Sequence, residues 1–201
     1  MIKTMVWVMA ATLFAANALA AGNADAGKSK TVACGACHGA DGNSLAPAFP
    51  KLAGQHPGYL LKQLKDIKGG ARSVPAMTGQ LDALNDQDLA DIAAYYGAQK
   101  ATPGMAKEER VELGESVYRA GVRDKGVAAC TACHSPIGAG NAAARFPSLS
   151  GQHADYIAAS LRAFRNDERT NDGDTRIMRD VASRLSDKEV DAVASYASGL
   201  H

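Results

Sequence analysis

Apolar residues recur with a helical period along most of this chain. The pattern is sharpest in two stretches. Leu89, Ile92, Ala93 and Tyr96 fall on one face of residues 85–96, and Val190, Val193, Ala194 and Ala197 on one face of residues 186–197. Spacings of three and four residues mark amphipathic helices. Asn85 and Ser186 stand at the N-cap, with Asp88 and Glu189 three positions on. That is the pairing in which cap side chain and third-residue side chain satisfy each other's backbone N–H. Leu84 and Leu185 precede the caps, placed to staple against Leu89 and Val190. A middle helix is predicted after each Gly-Gln-His: Leu60, Leu64 and Ile67 line one, and Ile157, Leu161 and Phe164 the other. A first helix is predicted to run from about Ala24 into Cys34, and from about Glu108 into Cys130. No stretch alternates with period two, so the expected fold class is all-α.

The elements come in pairs because the chain is written twice. Cys34-Gly-Ala-Cys37-His38 matches Cys130-Thr-Ala-Cys133-His134 at an offset of 96. "FPKLAGQHPGYL" (49–60) matches "FPSLSGQHADYI" (146–157) at 97, and the final helices match at 101. The growing offset puts one inserted residue after the second CxxCH and four after "NDERT". Two tandem domains are expected, residues 21–100 and 101–201, with a linker at about 98–107. Gly27 and Gly114, inside the first helices, are candidates for a close crossing by the last helix, against the faces carrying Tyr95 and Tyr196.

Residues 1–20 fall outside the repeat. One lysine, an apolar run from about Met5 to Leu19 and a small-residue Ala18-Leu19-Ala20 end read as a cleaved signal peptide. The run is short for a spanning helix, and no later stretch matches it. The expectation is export to the periplasm, where a cysteine pair can be oxidised. Lys and Arg number 22 against 21 Asp and Glu, and no basic stripe or acidic tail is present. Nothing in that balance points to nucleic acid.

All four cysteines sit in the two CxxC pairs. Disulfides would suit the compartment but leave unexplained why His38 and His134 each follow directly. A zinc ribbon would bring the pairs about 15–20 residues apart; here 92 residues lie between them. A thioredoxin-like dithiol needs a βαβ context, which is lacking. Covalent haem c uses the whole set: two thiols one helical turn apart, then an imidazole for the iron. The reading is two covalently bound haem c groups, anchored by Cys34 and Cys37, and by Cys130 and Cys133, with His38 and His134 as proximal ligands.

The opposite ligand follows by elimination. Met105 and His201 have no counterpart in the other copy, leaving the matched pairs Met77/Met178 and His56/His153. The methionines lie 39 and 44 residues beyond their CxxCH histidines, enough chain to reach the far face of a haem. The histidines lie only 18 and 19 residues on, at the start of a helix. The methionines are favoured, with core packing as their alternative role; a surface or capping role is favoured for His56 and His153.

An early CxxCH, Pro50-Lys51-Leu52 and Pro147-Ser148-Leu149, a loop methionine and an aromatic last helix resemble the class I cytochrome c fold. The tandem form, with Gly-Gln-His in each half, resembles the dihaem cytochromes c4 over nearly all of residues 21–201. The resemblance implies two class I domains in a pseudo-twofold pair. It implies proximal histidines hydrogen-bonded to the carbonyls of Pro50 and Pro147. It also implies an electron carrier that is no enzyme, with redox partner proteins: a quinol-oxidising complex or other donor, a terminal oxidase as acceptor, and a loose membrane association. Arg72 and Arg169, matched at offset 97, are candidate partners of haem propionates, with solvated arginines as the alternative. Two rival functions remain at this level: a dihaem peroxidase, which the matched methionines disfavour, and a haem subunit of a periplasmic dehydrogenase.

Overall fold

The computed structural model describes residues 21–201; the expected signal peptide, residues 1–20, lies outside them. The first half contains α1 (Ala24–Lys30), α2 (Val32–His38), α3 (Pro57–Lys68), a 3-10 turn at Pro75–Met77, and α4 (Asp86–Gly97). The second contains α5 (Glu108–Ala120), a 3-10 turn at Arg123–Lys125, α6 (Thr131–His134), α7 (Ala154–Arg165), α8 (Ile177–Ala182) and α9 (Asp187–Ser198). Among the described residues there is no strand, only isolated bridges joining Val122 to Val127 and Asn141 to Phe146. No described helix is long and apolar enough to cross a membrane.

The last helix organises each half. α1 and α3 pack on α4, and α5 and α7 pack on α9. Both last helices start with the expected capping box, Asn85 with Asp88 and Ser186 with Glu189. The predicted apolar faces are inside: Leu89, Ile92, Ala93 and Tyr96 are buried, as are Val190, Val193, Ala194 and Ala197. The first helix crosses at glycine in both halves. A Cβ on Gly27 would stand 2.1 Å from the Asp91 carbonyl oxygen, and one on Gly114 2.4 Å from that of Ala192. Tyr95 and Tyr196 line these crossings, their Cβ atoms 2.9 and 2.6 Å from the same added carbons.

The halves fill equivalent space with different residues. Thr31 and Tyr96 correspond to Tyr118 and Ala197 in the repeat. All four are buried, so the large ring comes from the last helix in one copy and from the first in the other. The rings take similar partners, Tyr96 with Tyr95 at 5.2 Å and Tyr118 with Tyr196 at 5.7 Å.

The first helices do not run unbroken into the cysteines. α1 stops at Thr31, whose N–H bonds back to the Lys28 carbonyl, before α2 resumes. In the second half, α5 ends at Gly121, with φ of +72°. There the backbone turns against Val127 so closely that a Cβ would lie 2.1 Å from its carbonyl oxygen. A glycine-only turn therefore separates α5 from the cysteines.

Candidate functional site: two CxxCH segments and the seam between them

Cys34 and Cys37 lie on α2, one turn apart, and His38 is its last residue. Cys130 is the N-cap of α6, which carries Cys133 and ends at His134. None of the four thiols is in a disulfide. Cys34 packs beside the core of the first half and Cys130 beside that of the second. Burial pushes the Cys130 thiol up to about 11 and raises that of Cys34.

Both proximal histidines are held in the same way. A loop folds back so that the Leu52 and Ala53 N–H groups donate to the Gly42 carbonyl, at 2.7 and 3.1 Å. Leu149 and Ser150 donate to Gly138 at the same two distances. Each loop presents a proline carbonyl to a histidine: His38 Nδ1 lies 2.9 Å from Pro50 O, and His134 Nδ1 2.9 Å from Pro147 O. A carbonyl can only accept, so Nδ1 carries the proton and Nε2 keeps its lone pair. Phe49 and Phe146 stand edgewise or tilted against these rings at 6.2 and 6.3 Å. Burial lowers both imidazole pKa values, against the upward pull of the carbonyls, which keeps the rings neutral and able to bind a metal near pH 7.

The two methionines sit on unlike elements. Met77 closes the 3-10 turn Pro75–Met77, whereas Met178 is the second residue of α8. Met178 packs against the core of the second half. Both are partly buried.

His56 and His153 do something the sequence reading missed. Neither side chain caps its own helix. Instead each ring reaches the other domain: His56 Nε2 donates to the Ala139 carbonyl at 2.8 Å, and His153 Nε2 to that of Ser44 at 3.0 Å. These bonds commit Nε2 as a donor. The preceding glutamines form the centre of the seam. Gln152 accepts from Lys51 N–H at 2.9 Å and donates to Lys51 C=O at 2.8 Å. Gln55 does the same with Ser148, at 2.9 and 3.0 Å. The repeated Gly-Gln-His is thus a reciprocal clasp between domains. Its presence in both copies, at a helix start and outside the apolar pattern, was the available signal.

The two arginines also lie in the seam, which removes the reading as solvated side chains. Arg169 is buried, stacks on Phe164 at 4.5 Å and donates to Tyr59, Gln63 and Asn171. Arg72 donates to Gln63 at 2.8 Å and to Tyr156 at 3.0 Å. Each guanidinium therefore meets a tyrosine of the other domain. Among the described residues neither forms an ion pair with a carboxylate, although thirteen such contacts occur elsewhere.

These features fit covalent haem twice over. The thiols are unpaired, the histidine lone pairs are available, and one buried cation, Arg169, and one half-buried cation, Arg72, lack a protein anion, a charge that haem carboxylates would offset.

Comparison with known proteins agrees. The Cytochrome c family model matches residues 24–97 and 111–200. Cytochrome c4 of Pseudomonas aeruginosa is 58% identical over 182 residues, covering 90% of each chain. The crystal structure of reduced recombinant cytochrome c4 from Pseudomonas stutzeri superposes with a TM-score of 0.89 at 55% identity, covering 90% of this chain and 100% of that one. The thiosulfate dehydrogenase electron acceptor of Stutzerimonas stutzeri is 41% identical over 174 residues, covering 84% of this chain and 79% of that one. Two cytochrome domains in tandem, each with its CxxCH, make this an electron-transfer protein carrying two covalent haem c groups, and the chain belongs to the cytochrome c family as a dihaem member of the c4 type.

Proposed function

We propose that this protein is a periplasmic carrier that accepts single electrons from a quinol-oxidising complex, or another donor, and delivers them to a terminal oxidase. In this reading residues 1–20 are the export signal, and the domains divide near residue 100. Cys34 and Cys37 hold one haem and Cys130 and Cys133 the other. His38 and Met77 ligate the first iron, His134 and Met178 the second.

The observation that carries the reading is the duplicated histidine setting, with Nδ1 bound to a proline carbonyl and Nε2 left for a metal. The bound haems supply one-electron exchange. The protein's residues tune and protect it. Each proline carbonyl fixes its imidazole and raises the basicity of the ligating nitrogen. The thioether of Met77 or Met178 would favour the ferrous state and a higher potential than a second histidine would. Held by His38 with Met77 and by His134 with Met178, the haems would offer no position to a substrate and would serve electron exchange alone. Arg72 and Arg169 would hold propionate charge at the seam, keeping the two haems in one electrostatic unit.

A second reading has its own support in the relative named as a thiosulfate dehydrogenase electron acceptor: the donor would then be a periplasmic dehydrogenase. Two stopped-flow measurements separate these. Reduced protein mixed with oxidase-containing membranes should be oxidised rapidly, and oxidised protein should be reduced slowly by a thiosulfate dehydrogenase with its substrate. The reverse order of rates selects the second reading. Rapid turnover of added peroxide, with loss of one methionine–iron absorption on reduction, would overturn both.

A further inference from the structure

The four-residue insertion in the second half makes the two methionine segments structurally unequal. In the first half the 3-10 turn carrying Met77 is held by backbone bonds alone: Met77 N–H to Val74 C=O, Thr78 N–H to Pro75 C=O, and Gln80 N–H to Met77 C=O. In the second half the insertion builds a loop that touches both the methionine helix and the opposite domain. Asp172, its side chain only 4% exposed, accepts from the Arg179 backbone N–H at 3.0 Å and from Arg179 Nε at 2.7 Å. Arg179 Nη2 donates to Gly173 C=O at 3.1 Å. These bonds replace the cap that α8 lacks, since its N-cap Arg176 is left-handed at φ +50° and makes no side-chain cap bond. Met178 sits between Arg176 and Arg179, inside this closed loop.

The neighbouring residue faces the other way. Asn171 Nδ2 donates to Gln63 and to Asp66 of α3, at 2.9 and 2.6 Å. Its carbonyl accepts from Lys62 Nζ at 2.8 Å, and its Oδ1 accepts from Arg169. Adjacent residues thus bind the first domain and the Met178 helix. One peptide unit transmits position between them, because a backbone step has only two soft dihedrals.

We infer that Asn171 and Asp172 are positioning residues that latch Met178 to the first domain, so that the second haem keeps its methionine only while the domains are docked, and Met77 holds the first iron independently. The inference rests on the reading of Met178 as an iron ligand. The latched site is the more secure in the intact molecule and the more dependent on the seam. A partner that pries the domains apart would then lower the potential of the second haem alone, since loss of a thioether ligand removes the preference for the ferrous state.

The test uses the ferric holoprotein and added imidazole, which captures an iron only after its methionine has left. The native protein should show two capture phases, one per haem. Asn171→Ala and Asp172→Ala should each accelerate one phase by roughly tenfold, the effect of losing a charge-assisted bond or two, and lower one reduction potential. The other phase should stay unchanged. Asp172→Asn, which keeps the acceptor for the Arg179 N–H, should restore part of the native rate. Should Asp172→Ala fail to fold, Asn171→Ala decides alone, because it leaves the Asp172–Arg179 pair in place. Unchanged phases, or equal acceleration of both, would overturn the latch. Met178→Ala separates the two layers: if it leaves both methionine–iron absorptions intact, the ligand assignment falls and the latch with it. If it removes one while Asn171→Ala leaves both capture phases at native rates, only the latch falls.

Discussion

Replacing Gln152 with alanine should loosen the docking of the two domains without unfolding either. The Gln152 side chain is buried and makes two bonds across the seam, both to the backbone of Lys51. Its oxygen also accepts from the His153 N–H of its own domain, at 3.0 Å. The core residues of the two domains are untouched by the change. Two neutral hydrogen bonds contribute about 1 kcal/mol each net, so docking should weaken by about 2 kcal/mol, roughly thirtyfold in its equilibrium constant. That figure is a lower bound, because an orphaned Lys51 N–H or C=O that water fails to reach costs about 1–3 kcal/mol more. The clasp is reciprocal, so Gln55→Ala should match Gln152→Ala, and the double variant should lose about 4 kcal/mol. Small-angle scattering would read the loss as a larger radius of gyration. Denaturant titration followed at the haem bands would read it as two separated transitions in place of coupled ones. A double variant with native scattering and a single native transition would show that the clasp contributes nothing, and the reasoning from bond geometry would be wrong.

Other expectations follow from single sites. Acid-acetone treatment should leave all colour on the protein, with a mass gain of two haems; one haem or none would refute the duplicated site. Met77→His and Met178→His should each remove half of the ferric methionine–iron absorption and lower one potential only, whereas loss of that absorption in His56→Ala would reverse the ligand assignment. Gly114→Ala gains about 0.5–1 kcal/mol of helix propensity, but its Cβ would meet Ala192 O at 2.4 Å and Tyr196 Cβ at 2.6 Å. The overpacking cost of about 1–3 kcal/mol should win, and a raised melting temperature of the second domain would contradict the close crossing. The Asn23 N–H, the Lys30 ammonium and the Gln87 amide hold Asp91 at about 2, below its ordinary 3.8. A depressed carboxyl stabilises the fold fully above its ordinary value and less as pH falls towards 2. The α1–α4 contact should therefore loosen between about pH 4 and 2, and Asp91→Asn should abolish that step in an acid titration followed by circular dichroism.

The helices and the attachment chemistry were legible in the sequence for a shared reason: both are local. A capping box spans four residues, an amphipathic face repeats every three or four, and a CxxCH carries its whole donor set within five. The glycine crossings were legible as well, because a glycine inside a helix is costly unless something passes close by. The breaks before the cysteines were not. They depend on Gly121 meeting Val127 and on Thr31 turning back, which no periodicity encodes. The roles of Gln55, His56, Gln152, His153, Arg72 and Arg169 were likewise decided only in three dimensions. Their partners across the seam lie 83 to 110 residues away. The clasp partners are backbone N–H and C=O groups, which every residue possesses and no motif marks. The repeat could say that each half carries these side chains twice; only the docking of one half on the other could say that they face each other, because a pattern along one chain records its own period and not the register between two folded bodies.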